Sequence, residues 1–246
     1  MNRVLLITIA LVFATLFSAC RTTYLLKENF SSDVIGNRPL KNIPGDPAGD
    51  SVAYTSVINP RLAIQASTVS SGRKALVYSE ASISGETAFN QWLSFKGIVS
   101  DYQQPIWFYW TGKQRNAIGE LLIDIQGVQG LWVTRLKIMP DGRLIRITNV
   151  ATGAGEVLGQ FTTDQAHTIV ISLQPAARRY NITVFGTREG SDSNRKNVAV
   201  IAEPNPMGPV FNSAKPSINF RYQNESFTST PAYVFESIYI SRKQPD

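Results

Sequence analysis

The run Trp107-Phe108-Tyr109-Trp110 is the densest group of chemically useful side chains in the 246-residue chain. On a β-strand alternate residues face opposite sides, so Trp107 and Tyr109 share one face while Phe108 and Trp110 share the other. Large aromatic side chains dominate core energetics, which assigns one pair to a core. The other pair is either buried as well, in a wide sandwich, or exposed as a platform on which the apolar C–H faces of a sugar can stack. The residues that follow, Gly112-Lys113-Gln114-Arg115-Asn116, offer ammonium, amide and guanidinium donors for sugar hydroxyls. Trp107, Tyr109, Lys113 and Arg115, joined by the cations Arg135, Lys137 and Arg146, are thus the candidate ligand-binding set, and their charge favours an acidic glycan.

Catalytic sets are sparse. Glu120 and Asp124 fall on one face of a strand but four residues apart, about 13 Å at the usual rise. That exceeds the carboxyl separation required by either route of glycoside hydrolysis. His167 is the only histidine, which excludes a histidine-cluster zinc site and makes any serine triad depend on this one base. It sits at the mouth of a strand, where packing and a hydrolytic or polysaccharide-lyase-like use are both open. Cys20 is the only cysteine, so an intrachain disulfide is excluded. No glycine-rich phosphate loop leads into a helix, and no EF-hand loop is present. No catalytic residue is assigned and no cofactor is expected.

The elements that must position these residues are strands. Ile118–Gln126, Leu131–Ile138 and Leu144–Thr148 read as a three-stranded meander with turns at Gly127–Gly130 and Pro140–Arg143. Leu121, Ile123 and Ile125 form the apolar face of the first strand, Trp132, Leu136 and Ile138 that of the second, and Ile145 and Ile147 that of the third. Keeping these faces on one side demands turns with an even number of residues. The expected register pairs Gln126 with Leu131 and Met139 with Leu144. It sets Glu120 opposite Lys137 and Lys137 opposite Arg146 on an outer face, with Arg135 beside them.

Further strand-like runs recur between turn residues: Val52–Val57, Leu62–Ser67, Lys74–Ser79, Trp92–Val99, Ile106–Trp110, Val157–Thr162, His167–Leu173, Tyr180–Phe185, Val198–Ile201, Ile218–Tyr222 and Tyr233–Ile240. A helical period of useful length is absent, so the expectation is an all-β, two-sheet antiparallel sandwich. There is no composition break and no internal repeat. Residues 28–243 are read as one domain, a size that β-sandwiches often reach as a single unit.

At the other end of the chain, Arg3 precedes an apolar run, Val4–Phe17, of signal-peptide length. It closes on Leu16-Phe17-Ser18-Ala19-Cys20, which resembles the lipobox of bacterial lipoproteins, with Phe17 where that motif most often has leucine. The resemblance implies that residues 1–19 are removed, that Cys20 is lipidated, and that residues 20–27 form a tether. The alternatives are a cleaved soluble protein and an uncleaved anchor. The implied location is the bacterial cell envelope, with outer-membrane attachment in a Gram-negative cell, since Arg21 is not the aspartate associated with inner-membrane retention. The formal net charge is +6, and loss of Arg3 with the signal leaves +5. A basic envelope surface suits anionic polysaccharide or lipid headgroups. Nucleic acid is not an expected partner, because the chain lacks a lysine/arginine run, a basic helix and a zinc pattern.

A second resemblance covers most of residues 28–241. Glu28-Asn29-Phe30-Ser31-Ser32 with Gly36-Asn37-Arg38-Pro39 resembles the first strand and loop of laminin-G-like jelly rolls. The pair His167–Leu173 and Tyr180–Gly186 resembles that family's central hairpin, and Ile218–Tyr222 with Tyr233–Ile240 resembles its last two strands. The wider superfamily is that of concanavalin A-like lectins and glucanases, whose members bind or cleave carbohydrate, while others act as scaffolds or bind proteins. Some relatives hold a structural calcium ion between the first and last strands, and Glu28 and Glu236 are the acids that match. The glucanases' Glu-x-Asp-x-x-Glu pattern does not occur in this chain. The expected function is a lipid-anchored, non-catalytic jelly roll that binds glycan or serves as a scaffold. A glycan-cleaving enzyme and a protein-interaction subunit of an envelope complex are the alternatives.

Overall fold

A computed structural model describes residues 23–45, 47–54, 62–79, 89–115, 119–188, 193–202, 214–224 and 231–245. Cys20 lies outside them, as does Asn116. The strands are β1 (Tyr24–Glu28), β2 (Ser51–Tyr54), β3 (Leu62–Ala66), β4 (Lys74–Ser79), β5 (Phe89–Lys96), β6 (Ile106–Gln114), β7 (Glu120–Gln126), β8 (Trp132–Ile138), β9 (Arg143–Ile147), β10 (Gly155–Gln160), β11 (Ala166–Gln174), β12 (Arg179–Phe185), β13 (Ser193–Ala199), β14 (Ser217–Asn224) and β15 (Pro231–Ser241). An eight-stranded sheet runs β13-β12-β11-β6-β15-β4-β3, with β1 paired to β15 as well, and a seven-stranded sheet runs β10-β9-β8-β7-β14-β5-β2. Every pairing is antiparallel. The fold is a two-sheet antiparallel jelly-roll sandwich, as the strand pattern predicts.

Several elements differ from the expected boundaries, β1 and β13 among them. β1 begins at Tyr24, so residues assigned to the tether are a strand that joins the eight-stranded sheet beside the C-terminal strand. β13 spans Ser193–Ala199 rather than Val198–Ile201. Its sequence, SNRKNVA, has almost no apolar alternation because it is the edge strand, half exposed, and its order comes from the ladder with β12.

The core lies between the sheets. In β11 and β12 the inward residues meet as cross-strand pairs, Ile169 with Val184 and Ile171 with Ile182, all of them buried. Phe220 of β14 is the central aromatic of the other sheet. Its ring lies 6.0 Å from Trp110, 4.4 Å from Phe235 and 6.0 Å from Phe95. Aromatic pairs at such distances add stabilisation beyond the area they bury.

The meander forms, but both of its turns are odd, and this changes which residues face out. Between β8 and β9 the loop is Pro140-Asp141-Gly142, closed by Met139 N–H donating to Arg143 O at 2.9 Å and Gly142 N–H donating to Met139 O at 2.9 Å. Gly142 sits at φ +86°, and a Cβ there would lie 2.3 Å from the Phe161 carbonyl oxygen. A three-residue hairpin with glycine in the left-handed region is a standard solution, and its odd count reverses β9. Leu144 therefore turns into the core opposite Ile138, and Ile145 turns out opposite Lys137. Arg146, opposite Leu136, lies on the inner side of the sandwich margin, not in an outer row with Lys137.

Between β7 and β8, Gln126 pairs with Trp132 rather than Leu131, and Ile125 pairs with Thr134. Val133 is thus an extra residue, a β-bulge. It lets Val133, Thr134, Leu136 and Ile138 all face inward while Trp132 turns to the outer face with Arg135. Glu120 is not directly opposite Lys137, whose partner is Leu122, yet the two form a diagonal salt bridge of 2.9 Å.

Ile171, fully buried in the centre of β11, tests the inward face. Ile171→Ala is expected to lower stability by about 2–5 kcal/mol, as buried Ile→Ala changes do. Urea unfolding measures it, and a loss under about 1 kcal/mol would contradict the assignment of this face.

Candidate functional site

β6 alternates as its sequence demands. Ile106, Phe108 and Trp110 are fully buried between the sheets, whereas Trp107 and Tyr109 are half-buried on the outer face of the eight-stranded sheet. The ladders carry the outer face across neighbouring strands. One row reads Asn181, Ser172, Trp107, Ser241 and Tyr24, and the next Thr183, Val170, Tyr109, Tyr239 and Lys27. Tyr109 stacks on Tyr239 with centroids 5.5 Å apart and rings 17° from parallel, and Tyr24 follows at 5.6 Å from Tyr239. The Thr111 hydroxyl donates to the Tyr109 hydroxyl at 2.9 Å. Tyr109, Tyr239 and Tyr24 thus form a chain of ring contacts, with Trp107 on the adjoining ladder row, on a surface that also bears hydroxyls and amides.

Beside Trp107 the surface dips into a cleft of about 180 Å³, walled by Ser172, Asn181, Thr183, Asn194 and Lys196 among others. Its polar groups are set by their own bonds. Asn181 Nδ2 donates to Ser172 Oγ at 3.2 Å, Asn197 N–H donates to Asn181 Oδ1 at 2.8 Å, and Thr183 Oγ1 donates to Asn194 Oδ1 at 2.7 Å. The charged residues lining the cleft are Arg195, whose guanidinium bonds Glu156, and Lys196. A ring with an apolar face and several hydroxyls fits this chemistry: the indole supplies the stacking surface, and the amides and hydroxyls supply donors and acceptors.

The remaining predicted site residues are distributed elsewhere. Lys113 and Gln114 belong to β6 itself and not to a ligand-facing loop. Lys113 is buried, its Nζ held 3.2 Å from Asp164 Oδ1 and 3.4 Å from Thr68 O, and Arg115 Nε bonds the same Asp164 oxygen at 2.9 Å. Burial pushes the Asp164 carboxyl up, but these two cations outweigh it and hold the group below the usual range. Gln114 turns inward and donates to Met139 O at 2.9 Å.

Arg135 and Lys137 lie on the outer face of the seven-stranded sheet, across the sandwich from Trp107 and Tyr109, so the two groups cannot serve one ligand. Arg135 grips the buried Asp124 through two bonds of 2.8 and 2.9 Å and covers the Trp132 ring at 4.9 Å, while Trp132 Nε1 donates to Asp124 at 3.1 Å. Burial raises the Asp124 pKa in spite of these partners. Arg146 bonds Glu156 at 2.9 Å, and Arg195 bonds the other oxygen of the same carboxylate. The two arginines hold Glu156 below its ordinary pKa.

Glu28 and Glu236, the calcium candidates, have separate partners. Glu28 accepts the Phe30 N–H at 2.6 Å, whereas Glu236 accepts the Ser67 and Ser70 hydroxyls at 2.7 and 3.0 Å. Among the described residues no group of three or more acidic, histidine or cysteine side chains is arranged to hold a metal. His167 is a core residue, stacked on Phe161 with centroids 3.8 Å apart and hydrogen-bonded to the Tyr233 hydroxyl. Burial lowers its pKa to about 3.

Sequence reasoning missed Tyr239 and Tyr24. For Tyr239 a signal existed, since it alternates with the buried Ile238 and Ile240. Tyr24 carried none while it was assigned to a tether. Ser172, Asn181, Asn194 and Lys196 come together only through the ladder β6-β11-β12-β13.

No protein-family model matches the chain, and no curated protein matches it. Solved structures do resemble it in fold. The catalytic domain of a GH131 beta-glucanase from Podospora anserina aligns at 15% identity with a TM-score of 0.52, covering 91% of this chain and 97% of that one. A sialidase aligns at 14% identity and a TM-score of 0.51 over 90% of this chain, which spans only 19% of the sialidase chain. The lectin UEA-II, in complex with galactose, aligns at 9% identity with a TM-score of 0.49, covering 89% of this chain and 98% of that one. The shared feature is the fold, a two-sheet antiparallel jelly roll.

Glu28 yields a test that needs no ligand. Its burial, reinforced by Asp33 and Asp50 and opposed by the Phe30 N–H, raises its pKa from 4.5 to about 7. The folded chain then keeps a proton that the unfolded chain releases, so this contribution is complete below pH 4.5 and is lost as pH rises to about 7. It amounts to at most about 3 kcal/mol. His167 acts in the opposite sense, its contribution being lost as pH falls from 6.5 towards 3. Glu28→Gln should therefore remove a fall in stability between pH 4.5 and 7 relative to the parent. Denaturant midpoints across that range measure the difference, and parallel curves would refute it.

Proposed function

We propose that this protein is a lipid-anchored envelope protein whose jelly roll binds a glycan at the Trp107 cleft without cleaving it. The observation that carries the reading is the outward patch Trp107, Tyr109, Tyr239 and Tyr24 beside a cleft whose walls combine hydroxyls and amides with apolar Val170, Ile182 and Phe185 and two cations. Binding rather than hydrolysis is favoured because, among the described residues, the cleft is lined by no carboxyl group. Asp124 and Glu120, the paired carboxylates of one strand face, are each held by a cation and belong to the other sheet. The anchor is supported by the apolar segment and by the lipobox-like residues that end in Cys20, the only thiol in the chain.

The test is oligosaccharide binding across a glycan array, with Trp107→Ala beside the parent. Because Trp107 is half-buried on an outer face, the variant should keep its circular dichroism spectrum. It should bind at least about tenfold more weakly, which corresponds to about 1.4 kcal/mol. A folded variant that binds as well as the parent would remove the cleft from the function. For the anchor, Cys20→Ser should abolish incorporation of labelled palmitate, and retained labelling would refute lipidation at this residue.

A further inference from the structure

We infer that the outer face of the eight-stranded sheet lies against the membrane and that the Trp107 cleft takes the saccharide headgroup of a lipid in the anchoring leaflet. This rests on the glycan reading of the cleft and on attachment through Cys20. The argument begins with reach. Tyr24 opens β1, four residues after Cys20, and an extended chain covers at most about 14 Å over four residues. Across the sheet Tyr24 pairs with Ser241, which pairs with Trp107. Two strand spacings amount to about 10 Å. The cleft is thus held within about 24 Å of the acyl chains, on the sheet that the anchor enters.

The composition of the face agrees with that position. Tyrosine and tryptophan, each with an apolar body and a polar tip, are the residues that settle at a membrane–water interface. Tyr24, Tyr239, Tyr109 and Trp107 stand in one half-buried patch of this face. Lys27, exposed on β1, and Lys196, at the cleft, add positive charge towards an anionic headgroup layer. Asp164, at the far end of β6, is held by Lys113 and Arg115. On the opposite face Asp124 and Glu120 are held in ion pairs by Arg135 and Lys137. A single-ring cleft in a face laid on the bilayer meets headgroup sugars before it meets a soluble polymer.

The experiment uses the full lipidated chain in phosphatidylcholine vesicles and reads tryptophan fluorescence. Trp110 and Trp132 are buried in the protein, which leaves Trp107 and Trp92 as the half-buried indoles. A quencher attached to the lipid headgroup should dim the parent, and Trp107→Phe should lose that dimming. Equal dimming of parent and variant, or none in either, overturns the membrane orientation. In a second arm the vesicles carry either a sialylated glycolipid or phosphatidylglycerol. The glycolipid should shield Trp107 from acrylamide and phosphatidylglycerol should not; equal shielding by both overturns the sugar headgroup. In a third arm the protein is held in detergent micelles with the free headgroup oligosaccharide. Trp107-dependent binding there, without any effect of glycolipid in vesicles, overturns the membrane inference and keeps the glycan site. Binding in neither setting overturns both.

Discussion

The packing of Phe220 against Trp110, Phe235 and Phe95 is the contact on which the rest of the molecule depends. It brings β14 and β5 of one sheet onto β6 and β15 of the other. Phe30 continues the cluster from the N-terminal loop, 6.2 Å from Phe95. A sandwich has no hydrogen bonds across its middle to fix how its sheets sit, so interdigitated side chains do that work. β6 is the strand most constrained by it. With Phe108 and Trp110 committed to the core, Trp107 and Tyr109 have only the outer face, and the candidate site follows from that parity.

Charged groups along the sandwich reinforce this frame. Glu156 joins Arg146 of β9 to Arg195 of β13, linking the edge strands of the two sheets. Asp124 is more deeply buried and carries more of the penalty that accompanies burial, offset by the paired bonds of Arg135 and by Trp132. Removing one partner of such a buried pair costs more than the pair contributes, because the other charge is left without compensation. These cations are therefore components of the frame, which explains why a surplus counted along the sequence does not become a surplus at one site.

The two faces of the sandwich are chemically distinct. The outer face of the eight-stranded sheet carries rings, hydroxyls and amides with a cleft. That of the seven-stranded sheet carries buried polar side chains knitted across strands, such as Ser94 Oγ donating to Asn219 Oδ1 and Asn219 Nδ2 donating to the Asp124 carbonyl. Polar groups buried in this way stabilise only when they are satisfied. A knitted face offers few open groups, whereas the aromatic face offers several, and the proposed ligand is assigned to the latter for that reason.

Much of the architecture was legible from the residues alone. Period-two alternation located nearly every strand and the inward faces of β7, β11 and β12, because burial of one face dictates side-chain polarity directly. The same period placed Trp107 and Tyr109 on one face of β6, and the structure decided that this face is the outer one. In β8 the inward Leu136 and Ile138 and the outward Arg135 and Lys137 were legible, but the Val133 bulge that exchanges Trp132 and Val133, and the three-residue Gly142 turn that reverses β9, were not, since neither alters the hydrophobic count. Tertiary structure alone decided the membership of the site. Trp107 and Asn194 are 87 positions apart in the chain and meet at one cleft through the ladder order, while Arg135 and Lys137, much nearer to Trp107 in sequence, fall on the other side of the sandwich. Sequence proximity says nothing about which sheet a strand joins; that is settled by which apolar faces can be buried together.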